Sequence, residues 1–178
     1  IQMQSNIIEA KLKFYNNTFE SFAIQTNNFY WSGGKLEMEF IGNSFTNPGR
    51  AYYGGVLISG VFNNFNFRNN RVFEFYNFDC LLYLTTFYYY QTSSFLTNII
   101  EENYFENINR ASLICINGND QNFINSSKID LRVSRNRFFN ISSYIIDTNI
   151  KQSQMPNYTI NASYNYWQSN LYFLIKHK

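Results

Sequence analysis

Leu131–Asn140 reads LRVSRNRFFN, and its pattern decides the fold. Leu131 and Val133 alternate with polar neighbours, as in a strand with one buried face. Asn136 breaks the alternation and Phe138 points inward again. The skeleton, apolar–x–apolar–x–x–Asn–x–apolar–x–(Asn or Ser), occurs six times. The first copy is Leu12, Phe14, Asn17, Phe19 and Ser21, and the second is Met38, Phe40, Asn43, Phe45 and Asn47. The third is Phe65, Phe67, Asn70 and Val72, with Glu74 in the last slot. The fourth is Ile100, Asn103, Phe105 and Asn107, with polar Asn98 in the first apolar slot. The last is Ile160, Ala162, Asn165, Trp167 and Ser169. Successive key asparagines are 26, 27, 33, 33 and 29 residues apart, which is the mark of one supersecondary unit repeated with insertions.

A unit this short cannot bury its apolar face alone, so stacked copies must share a continuous column. A tight turn between strands calls for a residue that tolerates left-handed backbone angles, and Asn does so better than most. The key asparagines are therefore expected to be that turn residue. Stacked one strand apart, the amides of Asn17, Asn43, Asn70, Asn103, Asn136 and Asn165 are expected to bond one another as a ladder. The charges offer a check on register. Lys11 and Lys13 precede Glu37 and Glu39 by 26 residues, all on outward positions, so stacking sets opposite charges side by side.

The Asn-x-aromatic-x-Asn/Ser turn and the terminal Asn165-Tyr166-Trp167 resemble right-handed parallel β-helix proteins of the pectin-lyase-like superfamily, over residues 10–176. The resemblance implies an all-β fold, a right-handed parallel β-helix solenoid of about six rungs, with the hand following the general crossover rule. It implies no single activity, because that superfamily includes polysaccharide lyases and hydrolases, adhesins and structural repeats. Its enzymes carry acidic clusters with an Arg or Lys, and the strings DD, NTD, GHG and RIK are missing here. The Asn-, Phe-, Tyr- and Ile-rich usage also resembles large surface proteins of ciliates and similar protists, a likeness of composition.

A second apolar stretch follows each turn: residues 22–24, 56–58, 80–84, 113–116, 144–146 and 171–175. These are expected to form a second parallel sheet, with the polar segments between rungs supplying the third side and the loops. Residues 1–178 read as one domain, a section of a longer chain, since Ile7-Ile8 looks like the end of an earlier rung. Two open ends then call for neighbouring rungs, from more chain or from another copy meeting head to tail.

Composition narrows the function. A net charge of +2 with scattered Lys and Arg gives no basic patch for nucleic acid. No apolar run is long enough for a membrane span. His177 is the only histidine and lies in a terminal Lys-His-Lys, so neither a catalytic triad nor a zinc site is expected, and no cofactor. Glycoside hydrolysis needs two carboxylates at a defined separation, and no pair is placed by the sequence. Adjacent Glu101 and Glu102 point in different directions. Asp130, Arg132, Arg135 and Arg137 are the nearest approach to an anionic-sugar contact, read here as a solvated face.

Cys80 and Cys115 fall on successive second strands, 10 and 12 residues after their key asparagines, and read either as a disulfide or as buried thiols. Glycosylation sequons occur at Asn16, Asn125, Asn140, Asn157 and Asn161. Asn125 and Asn157 fall in expected loops, Asn161 faces outward, and Asn140 belongs to the buried turn. Phe87, Tyr88, Tyr89 and Tyr90 form an aromatic stripe suited to sugar rings or a subunit contact, or to a half-buried strand. The resulting expectation is an extracellular or cell-surface structural β-helix forming a glycosylated filament, coat or adhesin. The alternative is a polysaccharide-active or carbohydrate-binding relative.

Overall fold

The computed structural model describes residues 9–21, 24–25, 35–47, 56–60, 64–76, 80–85, 95–109, 112–117, 128–142, 144–148, 158–168 and 175–177. Among the described residues eighteen strands, numbered in chain order, make three six-stranded sheets, and there is no helix. The first sheet holds β1 (Glu9–Tyr15), β4 (Lys35–Ile41), β7 (Asn64–Arg68), β10 (Phe95–Glu101), β13 (Lys128–Ser134) and β16 (Tyr158–Asn161). The second holds β2 (Thr18–Glu20), β5 (Ser44–Asn47), β8 (Arg71–Tyr76), β11 (Tyr104–Asn109), β14 (Arg137–Ser142) and β17 (Tyr166–Gln168). The third holds β3 (Ile24–Gln25), β6 (Val56–Gly60), β9 (Cys80–Thr85), β12 (Ser112–Asn117), β15 (Ile146–Thr148) and β18 (Ile175–His177). Every pairing is parallel, and each sheet takes every third strand in order. Three consecutive strands thus make one tier.

The third side differs from the sequence expectation. It is built by the residues just after each key asparagine, not by the polar segments between repeats. The cause is the corner. The left-handed residue is the one before the asparagine: Asn16, Gly42, Asn69, Glu102, Arg135 and Tyr164, with φ of 53–70°. One residue turns the chain, the asparagine itself is not left-handed, and a new strand starts at once. Glu102, Arg135 and Tyr164 carry this strain without the help of a glycine or asparagine, at about 1–3 kcal/mol each.

A second left-handed line runs through Ser21, Glu74, Asn107 and Asn140, the last slot of the skeleton. In the second sheet the pairing passes from Phe73, Glu106 and Phe139 to Phe75, Ile108 and Ile141, skipping this line. The strands bend there together and turn Phe75, Ile108 and Ile141 into the core.

The core is a set of columns. Two residues after the key asparagine stand Phe19, Phe45, Val72, Phe105, Phe138 and Trp167. Phe19–Phe45, Phe105–Phe138 and Phe138–Trp167 stack nearly flat at 4.9, 5.1 and 4.4 Å. Those spacings match the strand separation, so ring stacking and backbone pairing reinforce one another. Val72 leaves a gap that Phe67 fills from the first sheet, 5.6 Å from Phe45 and 6.5 Å from Phe105. Ile24, Ile58, Leu82, Ile114 and Ile146 stand in register along the third sheet, all buried. Asn98 keeps its place in an apolar column, buried between Phe65 and Leu131.

The register follows the charges. Lys11 pairs with Glu37 and Lys13 with Glu39, with Lys11–Glu37 at 2.8 Å and Lys13–Glu39 at 3.5 Å. A hydrogen bond from Lys11 holds the Glu37 carboxyl below the ordinary glutamate range, and the Tyr15 hydroxyl does the same for Glu39. The bond to Glu37 raises Lys11 in turn. A lowered carboxyl stabilises the fold above its ordinary pKa, about 4.3, and that contribution is lost as pH falls through the folded value. A raised lysine contributes below about 10.4 and loses it as pH rises through the folded value. Glu37→Gln is therefore expected to melt below the parent at pH 7, with the gap narrowing as pH falls below about 4.3. Paired thermal melts across the acid range check this.

Candidate functional site

The six key asparagines come together at the first corner as one ladder. Each asparagine's backbone N–H donates to the Oδ1 of the next, at 2.8–3.0 Å from Asn17 through Asn165. Each Nδ2 donates to that same Oδ1, at 3.0–3.3 Å. The other Nδ2 hydrogen of Asn43, Asn70, Asn103, Asn136 and Asn165 goes back one tier to the carbonyl of Phe14, Phe40, Phe67, Ile100 and Val133 respectively. The four inner amides therefore use both lone pairs and both hydrogens, which is their full capacity. They must, because Asn43, Asn70, Asn103 and Asn136 are 0–2% exposed, and a buried amide without partners costs several kcal/mol.

An open groove of about 440 Å³ lies over the outer face of β10, β13 and β16. Its lining includes Glu101, Asp130, Arg132, Ser134, Arg135 and, at the rim, Tyr164. Asp130 is 9% exposed and not a solvated residue as expected, because the next strand and Arg132 cover it. The Arg132 guanidinium grips one Asp130 oxygen through Nε at 2.9 Å and a second nitrogen at 2.8 Å. Glu101, also buried, accepts from Ser134 Oγ at 2.8 Å and from Arg135 at 3.2 Å, and pairs with Arg68 at 3.3 Å. Glu102 is exposed where Glu101 is buried, yet both glutamates meet Arg135. Arg137 belongs to the second sheet and does not line the groove. The groove is charge-paired within itself. It offers hydroxyl, amide and guanidinium groups beside an exposed Tyr164 ring, which suits a polyol better than a free ion. Among the described residues no three His, Cys, Asp or Glu side chains converge as metal ligands.

The remaining sequence candidates separate. Cys80 and Cys115 are bonded to each other, Cα to Cα 6.1 Å, although the ladder sets Cys80 opposite Ser112 and Cys115 opposite Tyr83. The bond therefore runs diagonally between β9 and β12. Asn16 is exposed at a left-handed corner, with its Oδ1 over Gly42. Asn140 is exposed on the second left-handed line, not in the buried turn, and its amide donates to Asn107 at 2.7 Å. Asn161 is exposed, and its Oδ1 accepts from Ser163 N at 3.1 Å and Ser163 Oγ at 2.7 Å, an Asx turn within its own sequon. Asn125, Asn157 and the stripe Phe87, Tyr88, Tyr89 and Tyr90 lie outside the described residues. The groove floor was half legible through Asp130 and Arg132, whereas Glu101 was read only beside Glu102 and not joined to them, since only the stacking of β10 on β13 brings it to Arg135.

No protein-family model matches the chain, and neither a curated protein nor a solved structure shows significant similarity to it.

Mid-ladder substitutions test the amide accounting. Asn103→Ala strands the Asn70 donors and the Phe67 carbonyl and is expected to cost about 2–5 kcal/mol in urea unfolding. Asn103→Asp keeps the acceptor but loses both donors and buries a charge facing carbonyl oxygens. Its loss at pH 7 should match or exceed that of the alanine variant. It should shrink as pH falls, because burial raises the new carboxyl's pKa and the neutral acid recovers one donor.

Proposed function

We propose that the chain is a right-handed parallel β-helix of six rungs and serves as a structural module outside the cell or at its surface, glycosylated and built into a filament, coat or adhesin. The observation that carries this reading is the ladder of six asparagines. It recruits the one position that never varies among the repeats to holding tiers together rather than to chemistry. The three-sheet return of the strands and the resemblance to the pectin-lyase-like superfamily support the helix and its hand. The Cys80–Cys115 bond supports an oxidising compartment. Exposed Asn16 and Asn161 support glycosylation.

A second reading, a polysaccharide-active or carbohydrate-binding β-helix, is favoured by the groove over β10, β13 and β16. Its carboxylates face guanidinium groups of their own chain, which suits binding better than proton transfer.

Intact-mass analysis of natively purified material decides between a secreted scaffold and the alternatives. Hexose mass lost on deglycosylation, with both cysteines resisting alkylation until reduction, is the expected result. Unmodified mass with two free thiols sinks the extracellular reading. If the groove binds sugar, immobilised neutral glycans should retain the parent and release Arg132→Ala, while Arg137→Ala behaves as the parent.

A further inference from the structure

The groove over β10, β13 and β16 contains a sequon. Thr159 stands beside Asp130 and Asn161 beside Arg132 in the strand register. Asn161 and Ser163 of the triplet Asn161-Ala162-Ser163 both line the groove, next to Tyr164. Asn161 Oδ1 accepts from Ser163 N at 3.1 Å and from Ser163 Oγ at 2.7 Å. Two donors on one oxygen fix the plane of the carboxamide, and with it the direction of Nδ2. That nitrogen donates to nothing among the described residues. The other described sequons differ. Asn140 spends its Nδ2 on Asn107 at 2.7 Å, and Ser142 Oγ donates to Asn109. Asn16 does not line the groove.

The space beside Asn161 suits a neutral sugar ring. Its volume, about 440 Å³, lies within the ~300–1,000 Å³ of small-molecule sites. The carboxylates there are already met by guanidinium groups, so no net charge calls for an ion. The Arg132 guanidinium has five N–H groups and spends two of them on Asp130, which leaves three for sugar hydroxyls. Tyr164, 87% exposed, offers a ring face to the C–H face of a pyranose and a hydroxyl at its tip. Exposure belongs to that slot, because Glu102 and Arg135 at the same corner of inner tiers are exposed too. A further tier would pair with the edge of β16, in the plane of the sheet, and so lengthen the groove without crossing it.

The geometry points to the chain's own glycan as the occupant: the first pyranose linked to Asn161 Nδ2 seats in the groove, against Tyr164 and Arg132. This rests on the glycosylated-scaffold reading above and assigns the groove to a sugar of the same molecule. In the attachment, a glycosyltransferase moves the sugar from a diphosphate-activated carrier. The bond from sugar C1 to the phosphate oxygen breaks, a bond from C1 to Nδ2 forms, the diphosphate leaves with the bonding pair, and one Nδ2 proton passes to solvent. The other Nδ2 hydrogen and both bonds to Oδ1 are untouched, so the aim of Asn161 survives the attachment. Tethering makes a weak seat sufficient. A short linker sets an effective concentration in the millimolar range, so a site too weak to hold free sugar is filled by a linked one.

The test compares the 178-residue chain made in cells that attach N-glycans with the same chain made, disulfide formed, in cells that do not. Peptide mass is expected to place sugar on Asn161. Nuclear Overhauser contacts should join the first sugar's ring protons to the Tyr164 ring. The sugar-bearing chain should melt about 2–4 °C above the sugar-free one. Tyr164→Asn removes the aromatic ring and installs the residue that the same left-handed corner carries at Asn16 and Asn69, so the fold is retained. This variant should keep the Asn161 sugar and narrow the melting gap, because sugars at other sequons contribute equally to both chains. A gap absent from the parent or unchanged in the variant, or a sugar without contact to Tyr164, overturns the seat and leaves the glycosylated scaffold standing. Asn161 bare while another sequon carries sugar does the same. A chain bare at every sequon overturns both.

Discussion

A carboxamide has two hydrogens and two lone pairs, and parallel strands repeat every 4.7–4.9 Å. The rest of this fold depends on the match between those two facts. An amide placed at a corner can reach the amide above and below it only if the tiers keep strand spacing, and it can be buried only if all four of its groups are used. Asn43, Asn70, Asn103 and Asn136 meet both conditions. The ladder fixes which residue lies above which. With that fixed, the aromatic and aliphatic columns fall into line, and loops between tiers are free to differ in length, as spacings of 26 to 33 residues require. A serine or aspartate at the same corner has too few donors to replace the amide.

The sequence displayed this part of the design because amide chemistry admits one residue. The inward columns were legible for the same reason, since Phe14, Phe40, Phe67 and their neighbours must be apolar. Lys11 and Lys13 even disclosed their partners across the tier. The corner itself was not legible. Its left-handed residue is Asn, Gly, Asn, Glu, Arg and Tyr in turn, so no residue type marks it. The invariant asparagine beside it drew the assignment instead. That error hid the second sheet, because a turn given to the wrong residue leaves no room for a strand right after it.

The groove was half visible for a related reason. Asp130 and Arg132 sit two apart on one strand, and such a pair can be read directly. Glu101 belongs with Arg135 only through the stacking of tiers 33 residues apart, and burial of Asp130 depends on Thr159 and its strand passing over it. Contacts between tiers follow from register, and register in a repeat with unequal insertions follows from the ladder. The ladder is thus the key to the surface as well as to the core.

The covalent link between β9 and β12 has a mechanical meaning. Hydrogen bonds between tiers lie along the stack, so a pull on the two chain ends loads them in tension and peels strands away one after another. The Cys80–Cys115 bond closes a ring across a separation of 35 residues in the middle of the chain. Under load that ring stays shut while the tiers on either side unravel. It withholds roughly 120 Å of contour length, at ~3.4 Å per residue, from an extended chain. Reduction of one bond would thus change how far the molecule stretches, and turn a short tether into a longer one.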